Sequence, residues 1–276
     1  MRILVGVLFL SSLSACYTYA APQLPYNNGL PVTRQVADFN AENPQFESGE
    51  PYWILDAPGH YFFSLLSKLI LWNWKMNNHD ISEETKLYLQ DYIRANRLQN
   101  VKVRFNMYDP ADEWHRLTNN PDVHWLARYT VGVLNWVIYT ILPERLFAGL
   151  FGGDHYNPYT NSINIYTDLP AVVLHEGGHA KDISMRLDKT GYALVYALPL
   201  APLYHEARAS EDAFHYIAER KKEQQLQREA YEQLAPAYAT YIGGQLFDSY
   251  GFIMVIPGHA YGRYKSWRLS ESDKAD

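Results

Sequence analysis

The chain has 276 residues, with 24 Lys and Arg against 30 Asp and Glu and a formal net charge of −6. That acidic balance, with an isoelectric point near 5.9, excludes the broad basic footprint of a nucleic-acid-binding protein. A lone cysteine, Cys16, excludes any disulfide within the chain and any thiolate ligand or nucleophile downstream of it.

The first readable element is N-terminal. Arg2 supplies a positive charge and residues 3–10 an apolar stretch too short to span a bilayer. Leu13-Ser14-Ala15-Cys16 follows and resembles the bacterial lipobox. The resemblance implies a lipoprotein signal peptide over 1–15, removed before Cys16, whose thiol then carries a diacylglycerol. The protein is then expected outside the cytoplasm, anchored to a membrane by lipid. In a Gram-negative cell, Tyr17 after the Cys favours the outer membrane, facing the periplasm. An ordinary secretory signal would also place the chain outside the cytoplasm. Residues 16–50, with Ala21-Pro22, Asn28-Gly29 and Gly49-Glu50-Pro51 around them, read as the lipidated Cys and a flexible tether. Residues 51–276 suffice for one domain with a sizeable core.

Within that domain the elements run as follows. Residues 61–76 are an aromatic-rich helix candidate. Ser82 is an N-cap, with Glu83 and Glu84 in the first turn of a helix to about residue 96. Residues 101–107 alternate strictly and predict a strand with one face in the core. A helix is expected over 121–142; its apolar stretch 131–142 is too short for a membrane span and is expected to be buried, with a membrane-dipping segment the lesser alternative. Gly and Pro make 152–159 a loop at the mouth of a cleft. Ser162-Ile163-Asn164-Ile165-Tyr166 alternates polar and apolar residues, the pattern of a half-buried strand. Pro170 then opens a helix.

That helix carries His175-Glu176-Gly177-Gly178-His179. Residues four apart share a helical face, so both imidazoles reach one tetrahedral metal ion, with Glu176 beside it as a base for water. The two internal glycines cost helix propensity, about 1 kcal/mol each, which points to close approach of another backbone. Further on, 204–214 supplies acids, 219–234 reads as a charged, solvated helix, and the Gly- and aromatic-rich 235–263 has no assignable role.

A strand leading into an H-E-x-x-H helix resembles the zincin metallopeptidases, and the resemblance spans residues 161–212. Asp182 and Met185 stand where metzincins and aspzincins carry their Gly and third ligand, which leaves the gluzincin pattern, in which a Glu comes from a later helix. Glu206-x-x-Ala209 is similar to the second gluzincin signature, with Ser210 where an Asp is expected. The resemblance implies an α+β, mostly helical, zincin-like domain whose small mixed sheet has its edge strand just before the motif helix. It implies zinc held by His175, His179 and Glu206, with Glu211 the alternative third ligand, and Glu176 as general base. Tyr204, His205 and His215 are candidates to stabilise the oxyanion, and Asp212 to orient a ligand histidine through its second ring nitrogen.

The expected function is therefore a membrane-anchored, extracytoplasmic zinc metallopeptidase acting on peptide or protein substrates. The alternative is a non-catalytic envelope lipoprotein, a scaffold or adaptor, with a structural metal closed by a fourth ligand such as His205 or His259. A weaker third reading is hydrolysis of a non-peptide bond in glycans or cell-wall stems, which the 23 tyrosines and 7 tryptophans permit.

Overall fold

The computed structural model describes residues 39–272; the leader, Cys16 and most of the tether lie outside the described residues. The fold begins earlier than expected. β1 (Phe46–Ser48), inside the stretch read as tether, pairs in parallel with β2 (Lys102–Phe105). Between them α1 (Trp53–Pro58) passes through a π-helical turn (Gly59–Phe63) into α2 (Leu65–Leu71), which stops at left-handed Trp72 rather than at Met76. α3 (Glu83–Ala95) is capped as predicted, Ser82 Oγ accepting from the Thr85 amide at 3.3 Å. After β2 comes α4 (Pro110–Asn119), capped by Asp109. α5 (Trp125–Ala127), a π-helical turn (Arg128–Gly132) and α6 (Val133–Ile141) form one continuous run, followed by α7 (Glu144–Phe147).

β3 (His155–Asn157) and β4 (Ser162–Ile165) complete a mixed sheet in the order β1-β2-β4-β3. Its first two pairings are parallel and the last antiparallel. The segment 152–159 is not all loop, because it contains β3. The edge strand beside the motif helix is β3, while β4, expected at the edge, is an inner strand. Nor are β2 and β4 half-exposed: every residue of both is buried. On β2 charge pairing is the reason: Lys102 meets Glu47 at 3.0 Å, and Arg104 pairs with Asp112 and Glu113 from α4. On β4, Ser162 bonds the Thr160 hydroxyl at 2.7 Å.

The remaining elements are helices: α8 (Pro170–Ser184), α9 (Lys189–Val195), α10 (Ala201–Tyr216), α11 (Gln224–Phe247) and α12 (Val255–Ser272). α10 runs on through a π-helical turn (Ile217–Lys221) to left-handed Lys222. The charged helix expected over 219–234 is thus divided at Lys222, and Leu226, Ala230, Gln233 and Leu234 of its second part are buried rather than solvated. The main core joins α3, β2, β4, α8, α10 and the start of α11, through residues such as Leu89, Val103, Ile163, Val173 and Ala213. The chain is α+β and mostly helical, as expected.

Both motif glycines lie where α8 meets its neighbours. A Cβ on Gly178 would stand 2.6 Å from the Ala209 carbonyl oxygen and 2.9 Å from its Cα, so α10 crosses α8 backbone to backbone. A Cβ on Gly177 would stand 2.7 Å from the Tyr92 ring of α3. The backbone approach inferred from the sequence is therefore present at Gly178, while at Gly177 the neighbour is a side-chain ring. Gly178→Ala is expected to destabilise the fold by about 1–3 kcal/mol through overpacking, read as a lower midpoint of thermal unfolding. Gly244→Ala, with nothing within 4 Å of the new Cβ, is the control and should be neutral or slightly stabilising.

The run 125–141 departs most from expectation. Only Ala127, Gly132 and Tyr139 of it are buried, while Leu134 and Ile141 are 60% and 67% exposed. The apolar stretch expected in the core lies on the surface.

Candidate metal centre

α8 places His175 and His179 one turn apart, and α10 crosses them at Gly178, which brings Glu206 over the same face. The first turn of α8 is held by Glu229 of α11, whose carboxylate accepts from the Ala171 amide at 2.9 Å. His175 Nε2 lies 3.1 Å from His179 Nε2 and 3.1 Å from Glu206 Oε2, and His179 Nε2 lies 3.5 Å from Glu206 Oε1. A tetrahedral ion with bonds of about 2.0–2.1 Å needs ligand atoms about 3.3–3.4 Å apart. The three donors fit that requirement, and among the described residues they are the group able to hold a metal ion. Glu206 is buried. Burial opposes its charge, but His179 and His175 outweigh that and hold its carboxyl well below the usual range.

Ser210, one turn beyond Glu206, supports the set. Its Oγ lies 3.1 Å from His175 Nδ1. With Nδ1–H donating there, Nε2 keeps its lone pair for a metal. Serine thus does what was expected of Asp212, whose carboxylate instead takes Lys181 Nζ at 2.6 Å and the Tyr92 hydroxyl. Ser210→Ala is expected to weaken metal affinity about 10- to 100-fold, measured by competition with a chelating dye; unchanged affinity would remove Ser210 from this role.

Glu176 is buried and borders the space around the donors. Burial pushes its carboxyl up, against the pull of His175, to about 7. Two cavities, of about 520 and 410 Å³, meet at Glu176, Glu206, Asp154, His155 and Tyr241. The larger is apolar, with Leu66, Ile70, Met76, Val172 and Phe252 in its wall. The smaller has Tyr156, Tyr159, Ile183 and Tyr196. A ligand threaded through both passes the three donors and Glu176.

The other expected residues fall out unevenly. Glu211 pairs with Arg208 at 2.7 Å and is not one of the donor group. His205 borders the smaller cavity, packed against Tyr192 and Tyr196. Tyr204 is half exposed beside His205, and His215 sits among Glu211, Asp212 and Glu219; neither borders the cavities. His259 stacks on Trp72 and meets the Ile70 carbonyl at 2.8 Å. Neither His205 nor His259 joins the donors.

Three residues at the site were not anticipated. The Tyr196 hydroxyl donates to Glu206 Oε1, and Tyr241 of α11 stands beside Glu206 at the junction of the cavities. Glu206 and burial push both phenols up, so both remain donors. His155, on the edge strand, lies 3.1 Å from Glu144. Burial disfavours its charge, but Glu144 lifts the imidazole to about 10, leaving a cation at the junction of the cavities. Compared with protein families, curated proteins and solved structures, the chain gives no match.

Proposed function

We propose that the protein is a zinc-dependent, zincin-like metallopeptidase, held on the outside of a bacterial membrane by lipid on Cys16. The observation that carries this reading is the tetrahedral spacing of His175, His179 and Glu206, with Glu176 beside them where two cavities meet. Two imidazoles and a carboxylate suit zinc. Three protein ligands leave a coordination position open, which favours catalysis over a closed structural site.

When bound, the metal supplies Lewis acidity and lowers the pKa of a water toward neutrality. The chain does the rest. Glu176 accepts a proton from the attacking water as its oxygen bonds the scissile carbonyl carbon, then delivers it to the amide nitrogen as the C–N bond breaks. Tyr196 spends its single O–H on Glu206 and so fixes that ligand in place. Ser210 holds His175, and the two cavities seat the chain on either side of the scissile bond.

The test is hydrolysis of a mixed peptide library by the zinc-loaded protein, with chelation and zinc re-addition. Cleavage that is lost and regained is expected. No cleavage by protein carrying one zinc per chain would overturn the peptidase reading. A pH dependence accompanies it. Glu176 works only when ionised, so kcat/KM should fall about tenfold per pH unit on the acid side. The bend should lie at or below about 7, since a bound cation can only lower this carboxyl. A profile flat down to about pH 4 would exclude Glu176 as the base.

A further inference from the structure

We infer that the apolar stripe on 125–141, with the neighbouring face of α1 and α2, docks the domain onto a lipid bilayer. The stripe is Val131, Leu134, Ile138 and Ile141 at helical spacing, with Trp125 and Tyr129 at its start, all between 41% and 67% exposed. No charged residue occurs from 131 to 142. The opposite side of the run is tied into the fold: Trp136 donates to the Pro110 carbonyl at 2.8 Å, and a Cβ on Gly132 would meet Leu117 at 2.7 Å. The exposed side is therefore held in place, not a helix waiting to turn inward.

A second exposed row lies nearby. Trp53, Tyr61, Phe62, Leu65, Leu69 and Trp72 are between 39% and 76% exposed. Lys68, the one Lys, Arg, Asp or Glu between residues 57 and 74, is turned inward, its Nζ on the His60 and Asn77 carbonyls. α7 follows α6 directly and packs on α1 and its π-helical turn, with Phe147 against Phe63 at 4.8 Å. The two rows thus belong to elements joined through α7. Leu66 of α2, 54% exposed, also borders the larger cavity, so docking would bring the site close to lipid.

The bilayer is chosen over a second copy on three grounds. The surface is apolar and edged by Trp and Tyr, with Arg128 over Tyr129 and Arg263 over Trp72 at its margin, as at a membrane–water interface. Among the described residues no helix is long and apolar enough to cross a membrane, so the contact is interfacial. The entry point of the chain fits as well: Phe39 lies 5.6 Å from the Arg116 guanidinium of α4, the helix that packs on α6. The 22 residues between Cys16 and Phe39 span at most roughly 75 Å, so a lipid on Cys16 keeps this face within reach of the membrane. The inference rests on the lipoprotein reading for that proximity alone.

The experiment reconstitutes the full chain with phosphatidylethanolamine–phosphatidylglycerol vesicles and compares ordinary with acyl-brominated lipid. Trp53, Trp72 and Trp125 lie on the face among 7 tryptophans, so bromination should quench up to roughly two fifths of the emission of bound protein. Leu134→Glu/Ile138→Glu/Ile141→Glu, at positions exposed enough to leave the fold intact, should reduce that quenching at least threefold. Cys16→Ser should lower the amount bound but not the quenching per bound molecule, which separates failure of the anchor from failure of the face. The readout needs no turnover, so an inactive protein still tests it. Emission indifferent to bromination, or equal quenching in the triple variant, would overturn the inference. So would an unquenched protein that dimerises in vesicle-free buffer and loses its dimer in the triple variant, since the face would then belong to a second copy.

Discussion

Glu176→Gln is expected to leave the protein folded and metal-loaded while hydrolysis drops about a thousandfold or more, toward the upper part of what a general base contributes. The amide keeps the size of the carboxyl and cannot take the proton. The same variant should change stability in the opposite direction. In the metal-free protein burial lifts Glu176 from 4.5 to about 7, so the fold favours the protonated form. That contribution is complete below about pH 4.5 and is lost as pH rises through about 7, a difference of about 3 kcal/mol for a shift of 7 − 4.5 = 2.5. A neutral amide escapes the loss. Metal-free Glu176→Gln should therefore unfold later than the native chain at pH 8 and much like it at pH 4. Turnover, zinc content by mass spectrometry and denaturant unfolding at the two pH values check these outcomes. Retained hydrolysis would end the general-base role.

The second large effect is loss of the metal in Glu206→Ala and in His175→Ala. About one zinc per native chain is expected, with affinity reduced more than about 100-fold in either variant, beyond what loss of a supporting hydrogen bond costs. Glu206→Ala also removes the acceptor of the Tyr196 hydroxyl, so it should lose thermal stability even without metal. Glu211→Ala breaks a pair with Arg208 on a partly exposed helix face and should retain the metal. That contrast separates the two acids that the sequence alone left open. Zinc retained in Glu206→Ala would reject the three-donor site.

The helical spacing of His175 and His179 is a property of the local chain. Four residues make about one turn, so their sharing of a face needed no knowledge of the fold. The Ser82 cap and the glycine pair in the motif were readable for the same reason: capping and backbone approach leave their mark on neighbouring residues. Glu206 came from a signature. Its short distance from the histidines depends on α10 crossing α8 at Gly178, a contact between segments some thirty residues apart in sequence.

Tertiary structure decided the rest, because the remaining features depend on what lies opposite a residue. Tyr196 sits in an apolar run and Tyr241 in a stretch with no visible role; the segment after α9 brings the Tyr196 hydroxyl to Glu206, and packing of α11 on α10 sets Tyr241 beside it. Alternation in β2 and β4 predicted an exposed face, but ion pairs from α4 and Glu47 bury the charged side chains of β2. The apolar run 131–142 has the composition of a core helix. Apolar side chains leave water equally well for protein or for lipid, so the sequence carried the hydrophobicity, and only the fold determined that its outer face stays exposed among the described residues.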